Sequence, residues 1–242
     1  MKPIKKILIS KNKGEKFYWK EKDMHTLLGK ISEKDIENSK GTVKSHLGKE
    51  FYVLDPLFTD KIEKIQRAPA IMLPKDIGFI LASTGINKDS VVLDAGTGSG
   101  VLAAFLSQFV KKVITYEAKD EFAKIAKENF EFLSIKNIEI KNKNIFDGID
   151  EKELDLIVLD LLDAEKALPY IEKSLKHSHY LVAYLPNITQ VINFCREIEK
   201  YDFILDRITE LIQRDWNIEL PKIHPENRGL THTAFLVFIR KV

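Results

Sequence analysis

Cysteine is almost missing: Cys195 stands alone in 242 residues, so no internal disulfide can staple the fold. It lies in the helical stretch Val191-Ile192-Asn193-Phe194-Cys195, where a packed thiol is expected rather than a reactive one. No apolar run approaches the length of about 18 residues that a membrane helix needs. The opening Met1-Lys2-Pro3-Ile4-Lys5-Lys6 lacks the apolar segment of a signal peptide. These absences predict a cytoplasmic protein with no membrane partner. His177 and His179 are close but have no further ligands at metal spacing, so no metal is expected. A large charge of one sign is also lacking. The net charge is +2, so RNA contact would have to come from a local patch rather than from the whole surface.

What is present suits a globular chain with a sizeable core, at 44% hydrophobic and 31% charged residues. Residues 1–60 read as a small antiparallel β domain. Short β-like runs (Ile7-Leu8-Ile9, Lys16-Phe17-Tyr18-Trp19, Glu50-Phe51-Tyr52-Val53-Leu54) alternate there with Lys, Gly and Ser. Its Lys11, Lys13, Lys16, Lys20 and Lys22, with Tyr18 and Trp19, suggest an RNA-contact or assembly surface; an ordinary solvated sheet face is the alternative. Residues 61–242 alternate helices with strands. Helices are predicted at 77–82, 120–132, 163–176 and 188–200, and strands at 113–116, 137–140, 154–160 and 180–184. An antiparallel pairing of 203–214 with 233–240 ends the chain. That order predicts an α/β architecture with an open, doubly wound sheet and helices on both faces.

One stretch organises the rest. Val91-Val92-Leu93-Asp94-Ala95-Gly96-Thr97-Gly98-Ser99-Gly100, followed by Val101-Leu102-Ala103-Ala104-Phe105-Leu106, reads as strand, tight glycine turn and helix. Val101 stands where a dinucleotide fingerprint needs its third glycine, and no Lys-Ser/Thr pair completes a P-loop. An acid followed by G-x-G-x-G resembles the first motif of class I methyltransferases that use S-adenosylmethionine, with a Rossmann-like sheet. On that resemblance Asp94 meets the cofactor's ammonium, and the amides of Gly96, Thr97, Gly98, Ser99 and Gly100, with Val101 behind them, meet its carboxylate. Glu117, with Ala118 beside it, grips the ribose diol about 20 residues beyond the glycines. Asn144 and the backbone of Ile145 read the adenine, with Asp147 as competitor. Asp160, after the apolar strand 154–159, faces the cleft; capping the helix near Asp163 is its alternative role.

A narrower resemblance then extends along the chain. Arg67-Ala68-Pro69-Ala70-Ile71-Met72-Leu73-Pro74-Lys75-Asp76, the glycine stretch, Leu159-Asp160-Leu161, Val182-Ala183-Tyr184-Leu185-Pro186-Asn187-Ile188-Thr189-Gln190-Val191, Arg214-Asp215-Trp216 and His232-Thr233-Ala234-Phe235-Leu236-Val237 occur in order. Together they resemble the bacterial and archaeal tRNA adenine-N1 methyltransferases of the T-loop. The resemblance implies tRNA as partner, a homotetramer, Asp160 as the catalytic acid, Tyr184 against the base and His232 in the pocket wall. Ala70, Leu73, Ala164-Glu165 and Thr231 depart from that family's usual residues, all on the acceptor side. A methyltransferase of another RNA site or a small molecule, and a non-catalytic tRNA-binding subunit, are the competing readings.

Overall fold

A computed structural model of the chain describes residues 1–12, 14–68, 71–219, 221–226 and 232–242. Lys13, Ala70 and Thr231, named above, lie outside these residues, as does Pro69. The chain divides into two compact units, Met1–Ile65 with Glu131–Ser134, and Gln66–Phe130 with Ile135–Val242.

In the first unit, strands β1 (Lys6–Ser10), β2 (Lys16–Trp19), β5 (Thr42–Lys44) and β6 (Glu50–Leu54) form an antiparallel sheet in the order β2-β1-β6-β5. Between them, β3 (Met24–Thr26) and β4 (Gly29–Ile31) form a hairpin, and α1 (Glu33–Glu37) and α2 (Phe58–Ile62) are single turns. The sequence pattern leaves α1 and β5 unannounced because they are too short for a periodicity. Ser32 nevertheless caps α1, accepting from Asp35 N at 3.1 Å. Leu8, Trp19, Ile31, Ile36, Val43, Phe51 and Val53 make the core. Trp19 is therefore no stacking platform: it is 3% exposed and its indole N–H donates to the Lys22 carbonyl at 2.7 Å.

The second unit is built on seven strands: β7 (Val91–Ala95), β8 (Lys112–Tyr116), β9 (Ile138–Lys141), β10 (Leu154–Leu159), β11 (Leu175–Leu185), β12 (Phe203–Glu210) and β15 (Phe235–Lys241). Their order is β12-β15-β11-β10-β7-β8-β9. The five strands from β11 to β9 are mutually parallel, and β15 runs antiparallel to both β11 and β12. All six residues of β10 are buried, as expected of a central strand covered on both faces. Alternation assigns the faces. Leu93, Ile114, Ile157, Leu181 and Val237 join a core with Leu168, Ile171, Phe194 and Ile198 from α6 (Leu168–Ser174) and α7 (Ile188–Ile198). Phe238 points the other way and meets Phe79 of α3 (Pro74–Ser83) edge-on at 5.7 Å. Helices α4 (Val101–Leu106) and α5 (Asp120–Phe132) follow the first two strands.

Two expected boundaries move. The helix predicted over 163–176 is a 3-10 turn at Ala164–Ala167 followed by α6. Pro169 forces the break, being tolerated in a helix's first turn but not in its interior. The tail carries an additional hairpin between β12 and β15, formed by β13 (Trp216–Glu219) and β14 (Lys222–Pro225). No helix among the described residues is long and apolar enough to cross a membrane, and no group of three or more His, Cys, Asp or Glu there could hold a metal ion.

Candidate active site

The chain lays down β7, β8 and β9 outward on one side, then returns to place β10 on the other side of β7. This reversal opens a crevice at the carboxyl ends of β7 and β10, the place where such sheets bind ligands. Asp94 is near the end of β7, and Asp160 follows the last residue of β10, its N–H donating to the Ala95 carbonyl at 2.9 Å. A cleft of about 280 Å³ opens between them, lined by Ile71, Met72, Asp94, Gly96, Thr97, Ser99, Val101, Leu102 and Asp160.

Asp94 is 1% exposed. Its Oδ2 accepts from the Thr115 hydroxyl at 2.8 Å, and Thr115 in turn lies 2.6 Å from the Thr97 hydroxyl. Its Oδ1 is buried with no hydrogen-bond partner. Burial, with the charges of Asp160 and Glu117 adding to it, pushes the Asp94 carboxyl up to about 7. Asp160 is partly buried, and loss of water raises it to about 6. Its carboxylate caps nothing: the 3-10 turn begins after Asp163, which has φ 55° and pairs with Lys166 at 2.7 Å. Two acids are thus held in one cleft with no cation paired to either among the described residues.

The glycine loop works differently from the expectation. Gly96 N and Thr97 N donate to the Tyr116 carbonyl, Gly100 N to the Thr97 carbonyl, and Gly98 N to Glu117 Oε2 at 3.0 Å. Among the five loop amides only that of Ser99 has no partner among the described residues, so the loop does not offer a row of free donors. Gly98 and Gly100 do not line the cleft; they give the loop its path, at φ 53° and 80°. A Cβ on Gly100 would lie 2.5 Å from the Phe130 ring, and one on Gly96, at φ 94°, 2.1 Å from the Asp160 carbonyl oxygen. Gly96 is what allows β7 and β10 to bring their acids so close.

Glu117 is 7% exposed, its second oxygen accepting from Lys119 N at 2.9 Å. Ala118 is exposed beside it. Asn144 Oδ1 caps the turn Ile145–Asp147, accepting from Phe146 N at 3.0 Å. That leaves its Nδ2 and the Ile145 backbone for any ligand. Ile145 is buried and Asp147 exposed. None of these five lines the cleft between Asp94 and Asp160.

On the other side of Asp160, β10 pairs with β11 through Leu159 and Ala183, which puts Tyr184 one step along, beside Asp160. Tyr184 is buried at 8% exposure, and its hydroxyl donates to Asp76 Oδ2 at 3.2 Å. His232 requires a correction. Its ring is exposed, with Nδ1 2.5 Å from Glu210 Oε1 and Nε2 2.8 Å from the Pro186 carbonyl. Both partners accept, a pairing that favours the doubly protonated ring. The same two partners raise its pKa. His232 clasps the backbone that follows Tyr184 and does not line the cleft between Asp94 and Asp160.

Ile71, Met72 and Leu102 were not singled out from sequence as lining residues. Leu102 could have been found from its place in the first turn after the glycines, and Ile71 and Met72 from their place in the run Arg67–Asp76 that carries the resemblance. Of the acceptor-side departures, Leu73 occupies the N-cap position of α3 and Ala164, 1% exposed, opens the 3-10 turn.

Comparison with known proteins adds to this geometry. Residues 52–235 match the family model described as tRNA methyltransferase complex GCD14 subunit. The chain is 35% identical to the tRNA (adenine(57)-N(1)/adenine(58)-N(1))-methyltransferase TrmI of Methanocaldococcus jannaschii, over 98% of this chain and 91% of that one. It is also 35% identical to the tRNA (adenine(58)-N(1))-methyltransferase TrmI of Thermus thermophilus, over 83% and 81% of the two chains. Among solved structures, a SAM-dependent O-methyltransferase from Thermotoga maritima superposes with a TM-score of 0.88 at 28% identity, covering 100% of this chain and 94% of that one. The tRNA (m1A58) methyltransferase TrmI of Aquifex aeolicus does so with 0.83 at 27% identity, covering 100% and 98%. The chain belongs to the GCD14 family of tRNA methyltransferases.

Proposed function

We propose that this protein transfers a methyl group from S-adenosylmethionine to N1 of an adenine in the T-loop of tRNA, in the region of positions 57 and 58 named for its archaeal relative. The observation that carries the reading is the pair of uncompensated acids, Asp94 and Asp160, in one cleft at the sheet's switch point. The residues fit the donor: the orphan Asp94 Oδ1 is a buried acceptor suited to an ammonium. Glu117 offers remaining lone pairs to a ribose diol, and Asn144 Nδ2 with the Ile145 backbone suits an adenine edge. Gly96, Thr97, Ser99 and Val101 form the wall against which the donor lies.

S-Adenosylmethionine supplies an electrophilic methyl group when bound. Adenine N1 carries its own lone pair, so the protein has no strong base to provide. The Asp160 carboxylate accepts a hydrogen bond from the exocyclic amine, which orients the ring and stabilises the positive charge that grows on it. Partial desolvation strengthens that interaction while leaving the acid ionised at neutral pH, since it titrates near 6. Tyr184 walls the base, and His232 holds the backbone behind Tyr184. A T-loop adenine lies inside folded tRNA and must leave its stack to enter.

Three broader statements belong to the same reading. The protein works in the cytoplasm, with Cys195 a packed thiol whose pKa burial pushes up. Four copies assemble, supported by exposed apolar side chains on β12 to β14 (Ile204, Ile208, Trp216, Ile218 and Ile223). The first unit acts as a contact element for RNA or assembly. Nucleoside mass spectrometry of unmodified tRNA incubated with protein and methyl donor tests the whole. N1-methyladenosine should appear in the T-loop; a methyl found only on another RNA or a small molecule overturns the assignment.

A further inference from the structure

Behind Tyr184 lies a closed polar ring. Asp76 is wholly buried. Its Oδ1 receives Lys75 Nζ at 2.7 Å; its Oδ2 receives the Thr233 hydroxyl at 3.0 Å and the Tyr184 hydroxyl at 3.2 Å. Lys75 Nζ also donates to Thr233 Oγ1 at 2.8 Å. Thr233 thus accepts a hydrogen bond from Lys75 and donates one to Asp76. Lys75 and Asp76 come from the first turn of α3, Tyr184 from the end of β11, and Thr233 from the segment before β15.

A buried ion pair is an inefficient fastener, because apolar packing of the same volume holds elements together as well or better. What the ring does that apolar packing cannot is fix the direction of one proton. The Asp76 carboxylate only accepts, so the phenol must donate towards it. Tyr184 sits beside Asp160 in the sheet, near enough for the Asp160 charge to raise its pKa along with burial and Asp76. The ring therefore holds the phenol, and with it the aromatic ring beside Asp160, in one orientation.

We propose that Lys75, Asp76 and Thr233 are positioning residues that fix the Tyr184 side chain beside Asp160, holding in place the wall against which the target base lies. The inference rests on the function proposed above. Lys75 pairs with Asp76 Oδ1, and Thr233 bridges the two and shares Asp76 Oδ2 with the phenol. None of the three touches the reacting atoms.

The test uses Thr233→Val, which keeps the ion pair, and Lys75→Met, which breaks it. In single turnover with tRNA, each should lower the methyl-transfer rate about ten- to a hundredfold, the size of effect expected from misplacing a reacting group. Cofactor affinity should stay within about twofold, and Thr233→Ser should restore most of the rate. The double variant should fall no further than the worse single, since the ring acts as a unit. Rates within about twofold of the parent in folded Thr233→Val overturn the proposal, as does a loss that Thr233→Ser fails to rescue. A second readout needs no substrate. In protein labelled with fluorotyrosine, the Tyr184 fluorine resonance, identified by its absence in Tyr184→Phe, should shift in Thr233→Val and hold still in Thr233→Ser. An unshifted resonance overturns the ring's role even if tRNA is methylated. A parent that methylates no tRNA overturns the preceding reading instead, and leaves the resonance to judge the ring.

Discussion

The paired acids of the first unit and the two cleft acids of the second live under opposite conditions. In the first unit they sit at the surface beside lysines: Glu50 with Lys11 and Lys44, Asp23 with Lys30, Asp60 and Glu63 with Lys16. Each of these carboxyls is held below its ordinary pKa, by the lysine salt bridges at Glu50 and Asp23, by Tyr18 and Lys16 at Glu63, and by Lys16 against burial at Asp60. At the crest of β7 and β10, Asp94 and Asp160 are raised to about 7 and about 6 because water has been removed and no cation put back. The same side chain is therefore surface trim in one place and a waiting half-site in the other. Paired surface acids contribute little to stability and nothing to binding. Unpaired buried ones weaken the free fold and repay it when a ligand brings the missing charge.

The strongest way to break this comparison is Asp160→Ala. Methyl transfer to tRNA should fall by about two to three orders of magnitude while calorimetry shows the donor still binding. Retained turnover would reduce Asp160 to packing. Gly96→Ala attacks the geometry that brings the acids together: the new Cβ meets the Asp160 carbonyl at a left-handed φ. Denaturant titration should report a loss of about 3 kcal/mol, with donor binding abolished.

The third test sharpens the electrostatic side. A carboxyl whose folded pKa is raised binds protons more tightly when folded, so its contribution to stability falls as pH climbs from the unfolded value of 3.8 towards about 7. Donor binding needs the ionised form and runs the opposite way. Affinity should be about tenfold weaker at pH 6 than at pH 8 and level above that; a flat profile would mean Asp94 does not meet the ammonium. The transfer step should add its own acid limb near 6, from Asp160.

Smaller effects mark the periphery. His232 has a raised pKa, so its clasp is complete below about 6.5 and is lost as pH rises through the folded value. Glu210→Gln should lower Tm at pH 6 and leave it nearly unchanged at pH 9. Smallest of all, Lys16→Ala in the first unit should shift stability by less than about 1 kcal/mol; a larger loss would show that its paired acids do more than trim the surface.

Much of the second unit was legible in the sequence. β7, β8 and β10 are apolar on both faces, α5 keeps a helical stripe, and the glycine turn announces itself by residues that few other structures need. The pairing of 203–210 with 235–241 at the sheet edge also follows from the pattern. The site was legible as a set of strand ends: Asp94 and Asp160 line one cleft, with Tyr184 one strand over from Asp160. Its hydrogen bonds were not. Whether the loop amides are free depends on the Tyr116 carbonyl and the Glu117 side chain, which belong to another strand. The fate of His232 depends on Glu210 and Pro186, 22 and 46 residues away. Trp19 in the first unit looked available for stacking because one short strand does not say which face is covered.

By itself, then, the sequence determined the order of strands and helices and where the chain must turn sharply. Those properties follow from local sterics and from the period of apolar residues, both carried within a few positions. The tertiary structure alone decided which polar groups are already satisfied and which are left waiting. Asp94 Oδ1 lacks a partner, and Tyr184 has one in Asp76, because of what distant segments bring alongside them in space. The balance of hydration and pairing that sets their chemistry has no period to read.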